Sequence, residues 1–422
     1  MNTCPVELLA LIVERVPTDK GLRSLRAVDK TFCALATPLA FRRAYVTNSL
    51  PSAQGLRALM ECHALAKTVE TIVFRWSDMH GDMEDAPTKR ATYIALVAVF
   101  AQLHRFPALV HVELNMFPGV PDPLVVGDTG HLERYPSESS FVESTLLKAL
   151  LRGTNIPRLR SLTLANLMAF PFAHYESREF SDLLSSVEHL DISFHGEHSV
   201  RGPRGREMWT SLWHEVVPIH FLGPTQARLT SLTLMSDQPV GRVPRLDFSG
   251  LFFPVLQHLE LGGITFDHHR RIEDFIVRHG KTLATLILDS CPMHMPDNSD
   301  DPLRSWRDVC DRFAESLEVL VDVQFHVREG WGLDNRKRIG EVRLFYCAGD
   351  TGYGGERGAG TRAHEPADRP AIDRLLEKVK ERRVKKATRA QPALQLDTIP
   401  VPVVLDIPNR MSEGFVIPIH WV

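Results

Sequence analysis

A short template, apolar-x-x-apolar-x-apolar, recurs along the chain and constrains its fold more than any other feature. The clearest copies are Leu159-x-x-Leu162-x-Leu164, Val187-x-x-Leu190-x-Ile192, Leu229-x-x-Leu232-x-Leu234, Leu256-x-x-Leu259-x-Leu261 and Leu283-x-x-Leu286-x-Leu288, with starts separated by 28, 42, 27 and 27 residues. Weaker copies begin at Val69, Leu109 and Ile339, and one beginning at Leu317 breaks where Asp322 takes an apolar position. The last four residues of each copy alternate as a strand with one buried face does. Between the copies lie stripes at helical spacing: Ile94, Val97 and Ala101; Phe180, Leu183 and Leu184; Met208, Trp209, Leu212, Trp213 and Val216; Ile272, Phe275 and Ile276; Trp306, Val309, Cys310 and Phe313. One strand-loop-helix unit of this size cannot bury its own apolar face. Stacking the units into a curved array, with a parallel sheet, outer helices and right-handed crossovers, is the economical solution. The competing arrangement is an ordinary α/β domain with Leu-rich parallel strands.

The 422 residues, 44% hydrophobic and 24% charged, form an ordinary globular composition. A formal charge of −3 removes the diffuse basic field that gathers phosphates, so any nucleic-acid or membrane-surface site must be local. The longest apolar run, Tyr93 to Ala101, is far below the roughly 20 residues of a membrane span, and no membrane partner is expected. Glu7 and Glu14 interrupt the apolar start, no basic stretch precedes it and no small-residue cleavage site follows. The expected location is therefore intracellular, cytoplasmic and/or nuclear. Six cysteines (Cys4, Cys33, Cys62, Cys291, Cys310, Cys347) without a C-x-x-C pair read as reduced, mostly buried thiols.

The first 45 residues lack the strand template. Pro5 suits a helix first turn, and Leu8, Leu9, Ile12 and Val16 then share a face. Leu22, Leu25 and Val28 form a second stripe after Pro17-Thr18-Asp19; Phe32, Leu35 and Leu39 form a third, which Pro38 should kink or end. These residues resemble the F-box family, in particular the large fungal group that couples an F-box to leucine-rich repeats. The family pattern runs Leu-Pro-x-Glu-Leu, an Ile, Leu-x-x-Leu-Arg-x-Val, then a Lys before an aromatic. Here it reads Cys4-Pro5-Val6-Glu7-Leu8, Ile12, Leu22-Arg23-Ser24-Leu25-Arg26-Ala27-Val28-Asp29-Lys30-Thr31-Phe32, with Cys4 replacing the leading Leu and Phe32 standing where many members have Trp. The stretch Phe275-Ile276-Val277-Arg278-His279-Gly280-Lys281-Thr282-Leu283, followed by Leu286 and Cys291, also looks like the repeat segment of that group.

The resemblance implies a non-catalytic substrate-recognition adaptor of an SCF-type cullin-RING ubiquitin ligase. The F-box would dock on a Skp-type adaptor, and through it a cullin, while the repeats hold a protein to be ubiquitylated. Pro5, Leu8, Leu9, Ile12, Leu25 and Val28 are the expected adaptor-binding residues. The alternative is a leucine-rich-repeat scaffold for protein-protein interaction without a ubiquitin role, in which residues 1 to 45 merely cap the first repeat. The expected class is thus α/β: an all-α F-box at 1–45, an irregular leucine-rich-repeat solenoid at 46–347, a flexible Gly-rich linker at 348–371, and a basic helix with a Pro-rich tail at 372–422.

No Ser/His/Asp order, H-E-x-x-H motif or phosphate-cradling Gly loop is present, so no enzyme and no cofactor is expected. Asp267-His268-His269 and Cys291-x-x-His294 are the nearest approaches to a metal site. Adjacent residues cannot face one ion from a regular element, and the second lacks its other ligand pair, so no metal is expected. His-x-acid recurs as His111 and Glu113, His189 and Asp191, and His258 and Glu260, at positions alternating with the buried leucines. The outward positions Ser161, Thr163, His189, Asp191, Thr233, Met235, His258, Glu260, Ile287 and Asp289 form the expected substrate-binding face, suited to a polar or basic protein partner. Near the end, Ile372, Leu375, Leu376 and Val379 make an apolar stripe beside the cations Arg374, Lys378, Lys380, Arg382, Arg383, Lys385, Lys386 and Arg389. Glu377 and Glu381 interleave and no aromatic stacks nearby, so a solvated face is expected rather than a specific nucleic-acid site.

Overall fold

The computed structural model of the chain describes residues 4–76, 86–116, 138–153, 156–196, 202–241, 244–267, 272–295, 304–327, 344–348, 362–363 and 366–390. Three helices open it: α1 (Val6–Glu14), α2 (Asp19–Arg26) and α3 (Lys30–Ala40). Pro5 sits at the N-cap of α1, its carbonyl accepting from Leu8 N (3.1 Å) and Leu9 N (3.2 Å). Thr18 caps α2 by accepting from Gly21 N (3.1 Å), and Asp29 caps α3 by accepting from Phe32 N (2.8 Å), each satisfying an orphan donor of a first turn. Pro38 does not end α3. It lies in the last turn, where few N–H groups remain to lose a partner, and Thr37 Oγ1 donates to Cys33 O (2.6 Å) beside it. Val13, Leu22, Ala36 and Ala40 make a small core of their own, separate from the main one.

The body is mixed α/β. Strands β1 (Arg43–Thr47), β2 (Thr71–Arg75), β3 (His111–Asn115), β4 (Ser161–Met168), β5 (His189–His195), β6 (Ser231–Val240), β7 (His258–Ile264) and β8 (Thr285–Asp289) lie side by side in chain order. After β9 (Pro292–Met295), β10 (Asp322–His326) pairs with β8 and completes a nine-stranded, wholly parallel sheet. One backbone stitch recurs at each entry. The carbonyls of Arg42, Glu70, Val110, Arg160, Glu188, Thr230, Gln257 and Ala284 each accept two N–H groups from the start of the next strand. This repeated bond is the physical form of the template, since it holds all nine strands in one register and sends every template leucine to the same side.

That side is the core. Leu162, Leu164, Leu190, Ile192, Leu232, Leu234, Leu259, Leu261, Leu286 and Leu288 are all buried there. Helices α4 (Leu50–Glu61), α5 (His63–Ala66), α6 (Ala86–Phe100), α7 (Glu138–Arg152), α8 (Arg178–Ser185), α9 (Gly202–Ser211), α10 (Ile272–Arg278) and α11 (Trp306–Ser316) are interspersed between the strands. The stripes read for α8, α10 and α11 are buried as expected, whereas in α6 Leu96, Val99 and Phe100 face inward and Ile94 is exposed. The second half of α6, Tyr93–Phe100, is apolar at every position, so spacing alone did not choose its face. After α9 the chain continues as a π-helix, Leu212–Leu222, around Trp213, Val216 and Phe221.

Other expectations need correction. The boundary at residue 45 cuts through β1, whose Phe41-x-x-Ala44-x-Val46 is a template copy disguised by a small residue. The copy begun at Leu317 is out of phase: the strand follows Leu320-x-x-Val323-x-Phe325, and Asp322 takes an outward position opposite Thr285. Cys4 and Cys62 are exposed and Cys33 is half-buried, so of these three with Cys291 and Cys310 only the last two are buried. Residues 362–363 and 366–368, expected within a flexible linker, have regular structure tied to the body. There β12 (Arg362–Ala363) pairs with β11 (Phe345–Ala348), and buried Asp368 accepts from Tyr346 Oη (2.7 Å) and Arg307 N (2.9 Å). Helix α12 (Arg369–Ala390) then packs on α11 and β10 through Ile372, Leu375 and Val379. The Ile339 start, the glycines between 352 and 360, the tail from 391, His268 and His269 lie outside the described residues.

Candidate functional site

Two surfaces carry the residues singled out in the sequence. On the three-helix unit, Pro5, Leu8, Ile12 and Val28 are exposed while Leu9 and Leu25 are partly buried. Leu25 packs against the unit's own core, so it supports the face from behind. The exposed apolar set is larger than expected: Val6 and Leu8 are 50% exposed, Leu11 and Ile12 55%, and Val28 63%. Val6 and Leu11 escaped the sequence reading because a stripe at three-four spacing marks a single face of α1. That helix is apolar on two faces, Val13 pointing into the small core and its neighbours outward. Arg26 fixes α2 against α3, its Nε donating to Thr37 Oγ1 (3.0 Å) and its guanidinium lying 4.7 Å from the Phe41 ring centroid.

The second surface is the outward face of the large sheet, where parallel register turns spacing along the chain into rows across the strands. One row runs His111, Ser161, His189, Ser231, His258, Thr285. The next runs Glu113, Thr163, Asp191, Thr233, Glu260, Ile287. A third brings Met235 beside Ser193 and, across Gly262, Asp289 beside His326. All ten expected face residues therefore share one side of one sheet, with Met235 and Asp289 a row away from the acids. Within the rows His111 Nε2 lies 3.2 Å from Thr163 Oγ1, and His258 Nε2 lies 4.0 Å from Glu260 Oε2. Burial, with Glu260 and then Glu113 as like-charged neighbours, pushes the Asp191 carboxyl up to about 6. Burial holds the His111 imidazole below its usual range, with Arg43 adding to the effect.

At the C-terminal end of the rows, β4 bulges between Leu164 and Leu167. Asn166 adopts a left-handed backbone (φ 59°), its N donating to Ser193 Oγ (2.7 Å) and its Nδ2 to Asn115 Oδ1 (2.9 Å). Asparagine tolerates that conformation better than other side-chain-bearing residues. The Cys291 thiol donates to Leu261 O (3.2 Å), and His294 lies in β9 with its backbone N donating to Phe266 O (2.8 Å). Among the described residues no three His, Cys, Asp or Glu side chains converge to hold a metal ion, and no helix is long and apolar enough to cross a membrane.

The basic helix spends much of its charge on the body. Arg374 pairs with Asp311, Arg383 donates to Val321 O (2.9 Å) and Asp322 Oδ1 (3.0 Å), and Arg382 donates to Ala314 O (2.7 Å). Lys380 lies 3.8 Å from Glu377. No protein-family model matches the chain, and a search of curated proteins also finds no match.

Proposed function

We propose that the chain is a non-catalytic substrate-recognition adaptor of an SCF-type cullin-RING ubiquitin ligase. In this reading the three-helix unit is an F-box that binds a Skp-type adaptor, and the nine-stranded body is an irregular leucine-rich-repeat solenoid that holds a protein substrate. One observation carries it. A unit of three short helices keeps a minimal core of its own yet leaves Val6, Leu8, Leu11, Ile12 and Val28 in solvent. A helical cap whose work was only to seal the first repeat would turn those side chains toward the repeat. Leu8, Leu11 and Ile12 lie one turn apart on α1, and an exposed apolar stripe of that kind is instead the mark of a protein partner. The F-box resemblance of residues 4–32 supplies that partner's class.

The competing reading, a repeat scaffold without a ubiquitin role, shares the sheet face but has no use for that exposed set. Mixing the purified full chain with a purified Skp-type adaptor separates the two: a stable complex on size exclusion supports the F-box, and separate elution supports the scaffold.

A further inference from the structure

The stretch Arg278-His279-Gly280 closes on the loop between β6 and β7. Arg278 Nη2 donates to Phe248 O (2.8 Å) and its Nη1 to Ser249 O (2.9 Å). His279, buried just past the end of α10, holds the next part of the same loop. Its Nε2 accepts from Phe253 N (3.0 Å), and its Nδ1 lies 2.8 Å from Phe275 O. A carbonyl oxygen can only accept, so Nδ1 carries the proton; a backbone N–H can only donate, so Nε2 is bare. The two bonds together specify one form of the ring, the neutral Nδ1–H tautomer. Aromatic rings enclose it: Phe252 stacks on it (centroids 5.4 Å, 19° between planes), Phe275 meets it edge-on at 4.8 Å, and Phe253 lies at 6.0 Å. Phe252 is 49% exposed, so the loop presents an aromatic ring to solvent with the histidine as its seat. Gly280 follows, where the Ser316 carbonyl leaves no room for a side chain.

A proton added to Nε2 turns that acceptor into a donor. The Phe253 N–H then faces a second N–H, and a buried donor stripped of its acceptor destabilises the arrangement that strands it. The bond from Nδ1 to Phe275 O survives, because imidazolium donates from both nitrogens. We infer that His279 is an acid-labile pin: protonation of Nε2 breaks the bond from Phe253 N and releases loop 248–253, with its exposed Phe252, while the parallel sheet stays folded. The charged groups on the surrounding elements are Arg278 and Lys281 at the end of α10, the Arg245–Asp247 pair (2.9 Å) at the head of the loop, and Glu315 and Glu318 around the end of α11. Burial holds the imidazole below its usual range; the Phe275 carbonyl works against that and the Arg278 guanidinium adds to it. The released loop leaves the ring free to titrate normally, so the pinned state loses stability as pH falls through the ordinary histidine range, about 6.5. Nothing in this pin depends on what the three-helix unit binds.

The test uses the full chain, isotopically labelled at histidine, phenylalanine and leucine nitrogens and read by NMR between about pH 7 and about pH 5. At the upper end the His279 ring should carry its proton on Nδ1. Hydrogen exchange of the Phe253 amide, corrected for the intrinsic effect of pH, should speed up roughly tenfold or more by the lower end. The amides of Leu259 and Leu261 in β7 should keep their protection throughout. His279→Gln can still accept from Phe253 N through its side-chain oxygen and cannot titrate, so its Phe253 amide should lose that response. A ring proton on Nε2 at neutral pH, a Phe253 amide whose corrected exchange ignores pH, or loss of the Leu259 and Leu261 amides together with it overturns the inference. So does an undiminished acid response in a folded His279→Gln protein. The tautomer and the exchange profile come from the wild type, so a variant that failed to fold would still leave those results to decide.

Discussion

Glu143 couples strongly to folding through its titration between pH 5 and pH 8. It lies inside α7, fully buried, where its carboxyl accepts from Met168 N (2.8 Å) at the end of β4 and from Tyr175 Oη (2.9 Å) in the turn before α8. Burial raises its pKa from 4.5 to about 8, against the lowering effect of those two bonds. Between these values the native protein holds a proton that the unfolded chain has released, so stability falls as pH rises through the window and levels off above pH 8. From pH 5 to pH 8 the loss is roughly 4 kcal/mol. Glu143→Gln keeps an acceptor for Met168 N and offers an amide N–H to the Tyr175 oxygen, but cannot ionise. Urea unfolding followed by circular dichroism at pH 5, 6, 7 and 8 compares the two proteins, and other titrating groups cancel in the difference. The variant should gain on the wild type by about 4 kcal/mol across the series. A constant difference at all four pH values would refute the buried, protonated carboxyl.

Two further outcomes follow from packing and charge. A Cβ added at Gly280 would clash with the Ser316 carbonyl, where the end of α10 meets the end of α11, so Gly280→Ala should destabilise by about 1–3 kcal/mol, read as a lower melting temperature. Helix α12 should show no sequence-selective binding to duplex DNA in about 150 mM salt, because Arg374, Arg382 and Arg383 are engaged by the body; filter binding with specific and random duplexes checks it, and selectivity would contradict the assignment.

The sheet was legible because its signal is redundant. Each template copy is weak, but the same outward and inward positions recur until one register satisfies them all, as His111 through Thr285 illustrate. Legibility failed where a copy was disguised. Ala44 is too small to announce β1, and an apolar pair at Leu317 and Leu320 drew the pattern three residues ahead of the true strand at Val323 and Phe325. The face of α1 was half legible, since exposed Val6 and Leu11 look like core residues until the small core is seen to take Val13 instead. The Glu143 lock could not be read at all. Its partners come from a strand end and a turn 25 and 32 residues away, and nothing in the local sequence of α7 marks an acid destined for burial. The row of Glu113, Asp191 and Glu260 was visible only as alternating His-x-acid pairs; its alignment across the strands is a property of the parallel register.

The most direct test of the account is the affinity of the full chain for a purified Skp-type adaptor, compared with Leu8→Ser/Ile12→Ser. About half of each side chain is already buried within the three-helix unit, so the interface can bury the remaining half: 50% of Leu8 and 55% of Ile12. At 1.5–3 kcal/mol for a fully buried side chain, the pair contributes about 1.5–3 kcal/mol, or one to two orders of magnitude in Kd. Titration calorimetry should give a specific complex for the wild type and a Kd some 10- to 100-fold weaker for the double variant. Circular dichroism and melting of the variant should match the wild type, because neither residue belongs to a core. Absence of any complex with the wild type, or equal affinity of a folded double variant, would contradict the F-box reading and leave the helical unit as a terminal cap of the repeat body.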